Sequence, residues 1–193
     1  MSFIAYDPLL GVVKLTDVDT VGPGPFNLVA GTGAGRQSFS FEIMRGYDPN
    51  LGGGEFVFAQ AGGTIAVGDV VQFNQALTSG VIQNQAVKWA GTANSGDVLG
   101  VALTALTANQ WGWFQITGNA IANVSGAPVA GNPVFWQASG VVSPTAVAGK
   151  QVIGAKFATA PAITLGSGAS AQVLSGTQAV ILLERPNVQT QIT

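Results

Sequence analysis

Histidine and cysteine are both missing from this chain, and charge of either sign is scarce: Lys and Arg number 7 and Asp and Glu 9 in 193 residues. Without histidine the usual general base near neutral pH and the commonest metal ligand are gone, and without cysteine so is the most readily activated nucleophile. The familiar catalytic constellations are thereby excluded, no disulfide framework can form, and the plentiful Ser and Thr have no activating base. The expectation is a protein that is not an enzyme, with no catalytic residue, no cofactor and no metal.

A net charge of −2 and a pI near 4.8 offer no clustered Lys and Arg for a phosphate backbone, so nucleic acid is not an expected partner. The longest strongly apolar run, residues 179–183, is far short of the roughly 20 residues a spanning helix needs, so no membrane partner is expected. No basic residue precedes Lys14 and no apolar leader core follows Met1, so the sequence reads as lacking a secretory signal. At 47% hydrophobic and 8% charged, the chain is poorer in charge than soluble surfaces usually are, which implies that much of its surface is covered in use.

What is present is Gly, Val, Ala, Thr and Phe in short runs, broken by Gly, Pro, Asn or Ser about every ten residues, a pattern that predicts an all-β chain, a barrel or a sandwich. Alternation over residues 37–43 predicts a strand with Phe39, Phe41 and Ile43 on its dry face. Residues 111–117 and 179–183 are apolar on both parities and read as central strands covered on both sides.

Residues 1–36 read as an extended N-terminal arm, and 37–193 as the β-rich body. The arm holds Gly22-Pro23-Gly24-Pro25 and the Gly-rich stretch 31–35, which favour turns and extended backbone, yet its first residues are too apolar for a solvated tail. The body contains an internal duplication, units 64–118 and 127–183. Residues 66–73 followed by Ser79-Gly80-Val81-Ile82 match residues 129–136 followed by Ser139-Gly140-Val141-Val142, and residues 98–102 match 152–156.

The order and spacing of Arg45-Gly46-Tyr47-Asp48-Pro49, Leu51-Gly52-Gly53-Gly54-Glu55-Phe56-Val57, Gly68-Asp69-Val70-Val71, Gly100-Val101-Ala102 and residues 112–118 resemble the head decoration, or cement, proteins of tailed bacteriophages over roughly residues 45–183. The resemblance implies a β-tulip-like or barrel-like body that assembles as a homotrimer on the exterior of an icosahedral capsid, at or near local three-fold positions. It implies the major capsid protein in assembled form as partner, a place in the virion, and synthesis in the host cytoplasm. Family members often pair an N-terminal segment with coat strands, which makes Phe3, Ile4, Tyr6, Leu9 and Leu10 the capsid-contact candidates. The longer N-terminal region and the duplication depart from the smallest members and leave the stoichiometry open.

The remaining chemistry-bearing residues read plainly. Asp69 after Gly68 is placed to cap a turn by accepting backbone N–H groups. Asp17 and Asp19 resemble half a calcium site but lack the further oxygen ligands. Gly31-Thr32-Gly33-Ala34-Gly35-Arg36 lacks the strand, helix and Lys-Ser/Thr pair of a phosphate loop. Trp111 and Trp113, on one side of a strand, and Phe114 are candidates for core or oligomer interface. The alternative function, a carbohydrate- or receptor-binding β-module of a virion fibre, would use Trp111 and Trp113 as a stacking platform. A carboxylate-only glycosidase needs a paired acid and nucleophile, and beyond residue 64 only Asp69, Asp97 and Glu184 are acidic, a scarcity that argues against it.

Overall fold

The computed structural model describes residues 4–7, 11–16, 18, 43–78 and 81–190, and among these the chain is all-β, with one short 3-10 turn at Gly168–Ser170. The first sheet contains β1 (Ile4–Asp7), β2 (Gly11–Lys14), β3 (Ile43–Asp48), β4 (Gly52–Ala61), β5 (Val70–Thr78), β6 (Val81–Lys88), β7 (Leu99–Ala102) and β8 (Trp111–Gln115). Its strand order is β2-β1-β3-β4-β6-β5-β7-β8, and β8 returns to pair with β4. Strand β4 therefore has three neighbours. Its Phe56–Gln60 stretch pairs with β8 on one edge; the other edge takes β3 along Gly52–Val57 and then β6, parallel, at Gln60 and Ala61. The ring β4-β6-β5-β7-β8 is a closed five-stranded barrel, and β3, β1 and β2 form a wing on it.

The second sheet repeats this plan with β9 (Thr117–Asn123), β10 (Pro133–Ala138), β11 (Val141–Ser143), β12 (Gln151–Phe157) and β15 (Gln178–Val188), in the order β11-β10-β12-β15-β9. A parallel bridge between Val124 and Val142 brings its ends together. In both sheets the first strand meets the third in parallel, the third pairs with the second, the second with the fourth, the fourth with the fifth, and the fifth with the first. A small ladder, β13 (Thr164–Leu165) with β14 (Gln172–Val173), is inserted before β15. Ile116 alone separates β8 from β9, and it is held from both sides: its N–H donates to the Glu55 carbonyl at 2.9 Å, and its carbonyl accepts from the Arg185 N–H at 2.9 Å.

The two hairpins read from sequence occupy equivalent places, and the turns that lead into them match. Gly68 and Gly131 both take positive φ, +81° and +88°, a region where only glycine is free of Cβ strain. Asp69 accepts the Ala66 N–H at 2.7 Å, and Asn132 accepts the Val129 N–H at 3.0 Å. The carbonyls of Asp69 and Asn132 then accept from Ala102 and Phe157. Those last two bonds put Ala102 opposite Phe157, not opposite Lys156 as the sequence match 98–102 to 152–156 implies. The offset arises where β12 slips register against β10, Pro133 facing Lys156 and Val134 facing Val152, in a bulged stretch that holds Gly154 at φ +73°. Both barrels also begin one strand before the matched segments, at β4 and β9.

Packing follows from strand parity. Ala59, Ala61, Ala86 and Ala102 line the first barrel with Ile65, Val71 and Leu106, because five strands enclose room for few large side chains. Phe114 fills that space, edge-on to Phe73 with ring centroids 5.8 Å apart. The opposite face of β4 and β8 carries Phe56, Phe58, Trp111 and Trp113, which pack against Ile121 and Val180 of the second barrel together with Met44, Leu51 and Leu15. Strand β8 and the 179–183 stretch of β15 are covered on both faces, as their sequences predict. Ile43 is a correction. The residue expected on a dry face is 52% exposed, while its neighbour Met44 is buried, because β3 lies on the wing and only its even-numbered face meets the core. Residues 37–42 lie outside the described residues.

Candidate functional site

Of the expected contact residues, Phe3, Leu9 and Leu10 lie outside the described residues. Ile4 and Tyr6 are on β1, which forms a hairpin with β2 and pairs with β3 at Ile4↔Tyr47 and Ala5↔Gly46. Part of the segment read as an arm is thus added to the chain's own sheet, and Leu15 just beyond it is fully buried. Trp113 and Phe114 are fully buried and Trp111 is 8% exposed. Phe58 lies 5.5 Å from Trp111 and 5.0 Å from Trp113 between ring centroids. These tryptophans are core residues joining the barrels and present no stacking platform to solvent. Asp17, Asp19 and residues 31–36 lie outside the described residues.

Two features face outward. The first is the wing, where Ile43, Arg45 and Tyr47 share one face of β3 and Tyr47 is 61% exposed. Glu55 of β4 stands beside them, 3.7 Å from Arg45 Nε and 3.0 Å from an Arg185 guanidinium nitrogen. Arg185 reaches Glu55 because β15 bulges at this point and holds Arg185 at φ +50°. The second is the β5–β6 hairpin. It pairs continuously from Val71↔Lys88 to Thr78↔Val81, but β7 accompanies β5 only over Val70–Gln72, and β4 accompanies β6 only at Gln85 and Ala86. Beyond Phe73 it leaves the barrel as a two-stranded ribbon whose outer edges pair with no other strand among the described residues. No charged residue stands between Asp69 and Lys88, so the ribbon lacks the charges and prolines with which exposed strand edges are usually blunted.

The counterpart hairpin β10–β11 is short and turns inward. Its Gly140 N–H donates to the Trp89 carbonyl at 3.2 Å, and its carbonyl accepts from the Val70 N–H at 2.9 Å. Directly beneath lies Asp69, 3% exposed. One carboxylate oxygen, Oδ2, takes the Lys88 ammonium at 2.9 Å and the other, Oδ1, takes Asn123 Nδ2 at 2.9 Å. Asn123 Nδ2 also donates to the Val67 carbonyl at 2.9 Å. Beside this cluster, Trp136 donates its indole N–H to the Trp89 carbonyl at 3.3 Å, and the Lys150 ammonium sits 3.9 Å over the Trp136 ring. Sequence reading found Asp69 as a turn cap, but Lys88 and Asn123 carried no local signal, since topology alone brings them to it.

The depression beside the β15 bulge, lined by Gly154, Ala155, Lys156, Leu182 and Glu184, measures about 210 Å³, below the usual range for ligand pockets. Among the described residues no three of His, Cys, Asp and Glu are grouped to hold a metal ion, and no helix is long and apolar enough to cross a membrane. Asp69, Asp97 and Glu184 are dispersed: Asp69 is engaged with Lys88 at the junction, and Glu184 lines the depression. The chain matches no protein-family model and no curated protein.

Proposed function

We propose that this protein decorates the outside of an assembled bacteriophage head and stabilises it by bridging coat subunits. The observation that carries the reading is the pairing of a double barrel with open, charge-free strand edges on the β5–β6 ribbon, and with an exposed wing face bearing Ile43 and Tyr47. Open edges recruit extended segments of other chains by strand addition, and their main-chain hydrogen bonds supply affinity without any reacting group. Apolar area buried at about 25 cal/mol per Å², repeated over symmetry-related sites, raises the cost of separating subunits. The resemblance to cement proteins supports the same reading, since its Arg45–Pro49 motif falls on the wing strand and its outward face. In this function the protein acts as a homotrimer, with Phe3, Ile4, Tyr6, Leu9 and Leu10 contributing to the coat contact.

Co-sedimentation with purified heads stripped of decoration tests it. The protein should pellet with assembled shells, leave free coat subunits in the supernatant, and raise the temperature at which shells rupture. No association with shells at micromolar protein would overturn the proposal.

A further inference from the structure

The Asp69 cluster holds more than a turn requires. In the second barrel the same turn is built with Asn132, whose amide oxygen accepts the Val129 N–H as Asp69 accepts the Ala66 N–H. A neutral acceptor therefore suffices. At position 69 the chain places a carboxylate instead, buries it, and sets an amine against one of its oxygens and a carboxamide against the other, each at 2.9 Å.

We propose that Lys88 and Asn123 join in an intramolecular isopeptide bond, with Asp69 as the acid–base group. The arrangement contains a nucleophile, an acyl donor and one carboxyl group that touches both the nucleophile and the leaving group. In the first step Lys88 Nζ gives a proton to Asp69 Oδ2, which leaves a neutral amine and a carboxylic acid. The amine adds to Asn123 Cγ, reached by rotation of the flexible lysine stem. The Cγ–Nδ2 bond then breaks, and Asp69 delivers its proton through Oδ1 to the departing nitrogen, to which it is already hydrogen-bonded. An amide bond forms, one ammonia leaves, the second amine proton is passed to solvent or the departing base, and no oxidant, metal or cofactor takes part.

The surroundings suit each step. Asn123 Nδ2 is fixed by the Val67 carbonyl as well as by Asp69, which orients the carboxamide. Gly140 lies flat over the carboxyl at φ +76°, so close that a Cβ there would fall 2.9 Å from Asp69 Cγ, and the second barrel's hairpin turn excludes water from that side. The Lys88 side chain keeps 33% exposure, which opens a path for ammonia. The bond would tie β6 of the first barrel to β9 of the second. The proposal stands on these contacts alone and does not depend on capsid binding.

Intact mass of the full-length folded protein, followed by tryptic mapping, decides it. The wild type should be lighter than its sequence mass by one ammonia, and digestion should yield a branched peptide joining the Lys88 and Asn123 segments. Lys88→Arg, which keeps the ion pair but removes the nucleophile, and Asp69→Asn, which keeps the turn acceptor, should both be folded by circular dichroism and have the full sequence mass. Wild type at full mass after prolonged incubation would overturn the proposal. So would loss of ammonia with the Lys88 peptide still linear, since that marks cyclisation at an asparagine.

Discussion

Asp69 and Asn132 stand at the same point of two copies of one turn, just before β5 in the first barrel and just before β10 in the second, and each closes it by accepting the N–H three residues earlier. The turn therefore tolerates either side chain, and what distinguishes the pair lies outside it: Asp69 faces Lys88 and Asn123. Asn132→Asp should change stability by less than about 0.5 kcal/mol, whereas Asn132→Ala, which strands the Val129 N–H, should cost about 1 kcal/mol. Urea unfolding of the two variants checks both values, and equal losses would mean that the side-chain oxygen does not hold the turn.

Gly140→Ala is expected to be costly for two separable reasons. Its positive φ penalises a Cβ by roughly 1–2 kcal/mol, and the added methyl would press on the buried Asp69 carboxyl, an overpacking of about 1–3 kcal/mol. A total loss of at least about 2 kcal/mol should appear in denaturant melts. Gly131→Ala, with a comparable φ of +88° but nothing near its Cβ, should show the backbone part alone.

Trp113 is fully buried between the barrels, and its indole N–H meets no acceptor among the described residues. Trp113→Phe gives up no hydrogen bond and keeps an aromatic ring against Phe58, so its cost should stay near 1–2 kcal/mol. Trp113→Ala should cost about 3–5 kcal/mol. If the two variants were equally destabilised, the ring packing against Phe58 would not be the source of the stability.

On the wing, exposed Ile43 and Tyr47 contribute little to the core. The double change Ile43→Ser with Tyr47→Ser should leave stability within about 0.5 kcal/mol of the parent but weaken binding to shells at least about tenfold, equivalent to ~1.4 kcal/mol. Pelleting titrations on purified heads read this directly, and unchanged affinity would remove the wing from the contact surface. Point changes are the better instrument here than deletion of residues 1–36, because that deletion also removes Leu15 from the cluster of Phe56, Phe58 and Trp113.

The all-β class was legible because local patterning carries it: alternating strands, Ser-Gly turns, and the two-sided apolar runs at β8 and β15. The repeated hairpins were legible for the same reason. Barrel closure was not, since the parallel meeting of β4 with β6 joins residues with no shared local pattern. The first strand of each unit was also missed, although both carry an Ala-x-Ala pair, Ala59 with Ala61 and Ala120 with Ala122, that faces a barrel interior. Ile43 misled because parity fixes which residues share a face but not which face meets the core. At the junction, Asp69 could be read as a turn residue, whereas its partners come from β6 and β9 and meet it only after both barrels have closed.

Ile116 joins the barrels with no slack. Because it donates to β4 and accepts from β15, the connection is itself a rung of the structure, and neither barrel can swing or twist on its own. Force entering through the ribbon on one barrel crosses to the other through the shared aromatic layer, the contacts of Gly140 and Asn123 around Asp69, and this residue, as in a beam with no hinge. The chain should therefore yield as one body, with tryptophan fluorescence and circular dichroism tracing a single coincident transition where two separately folded barrels would give two.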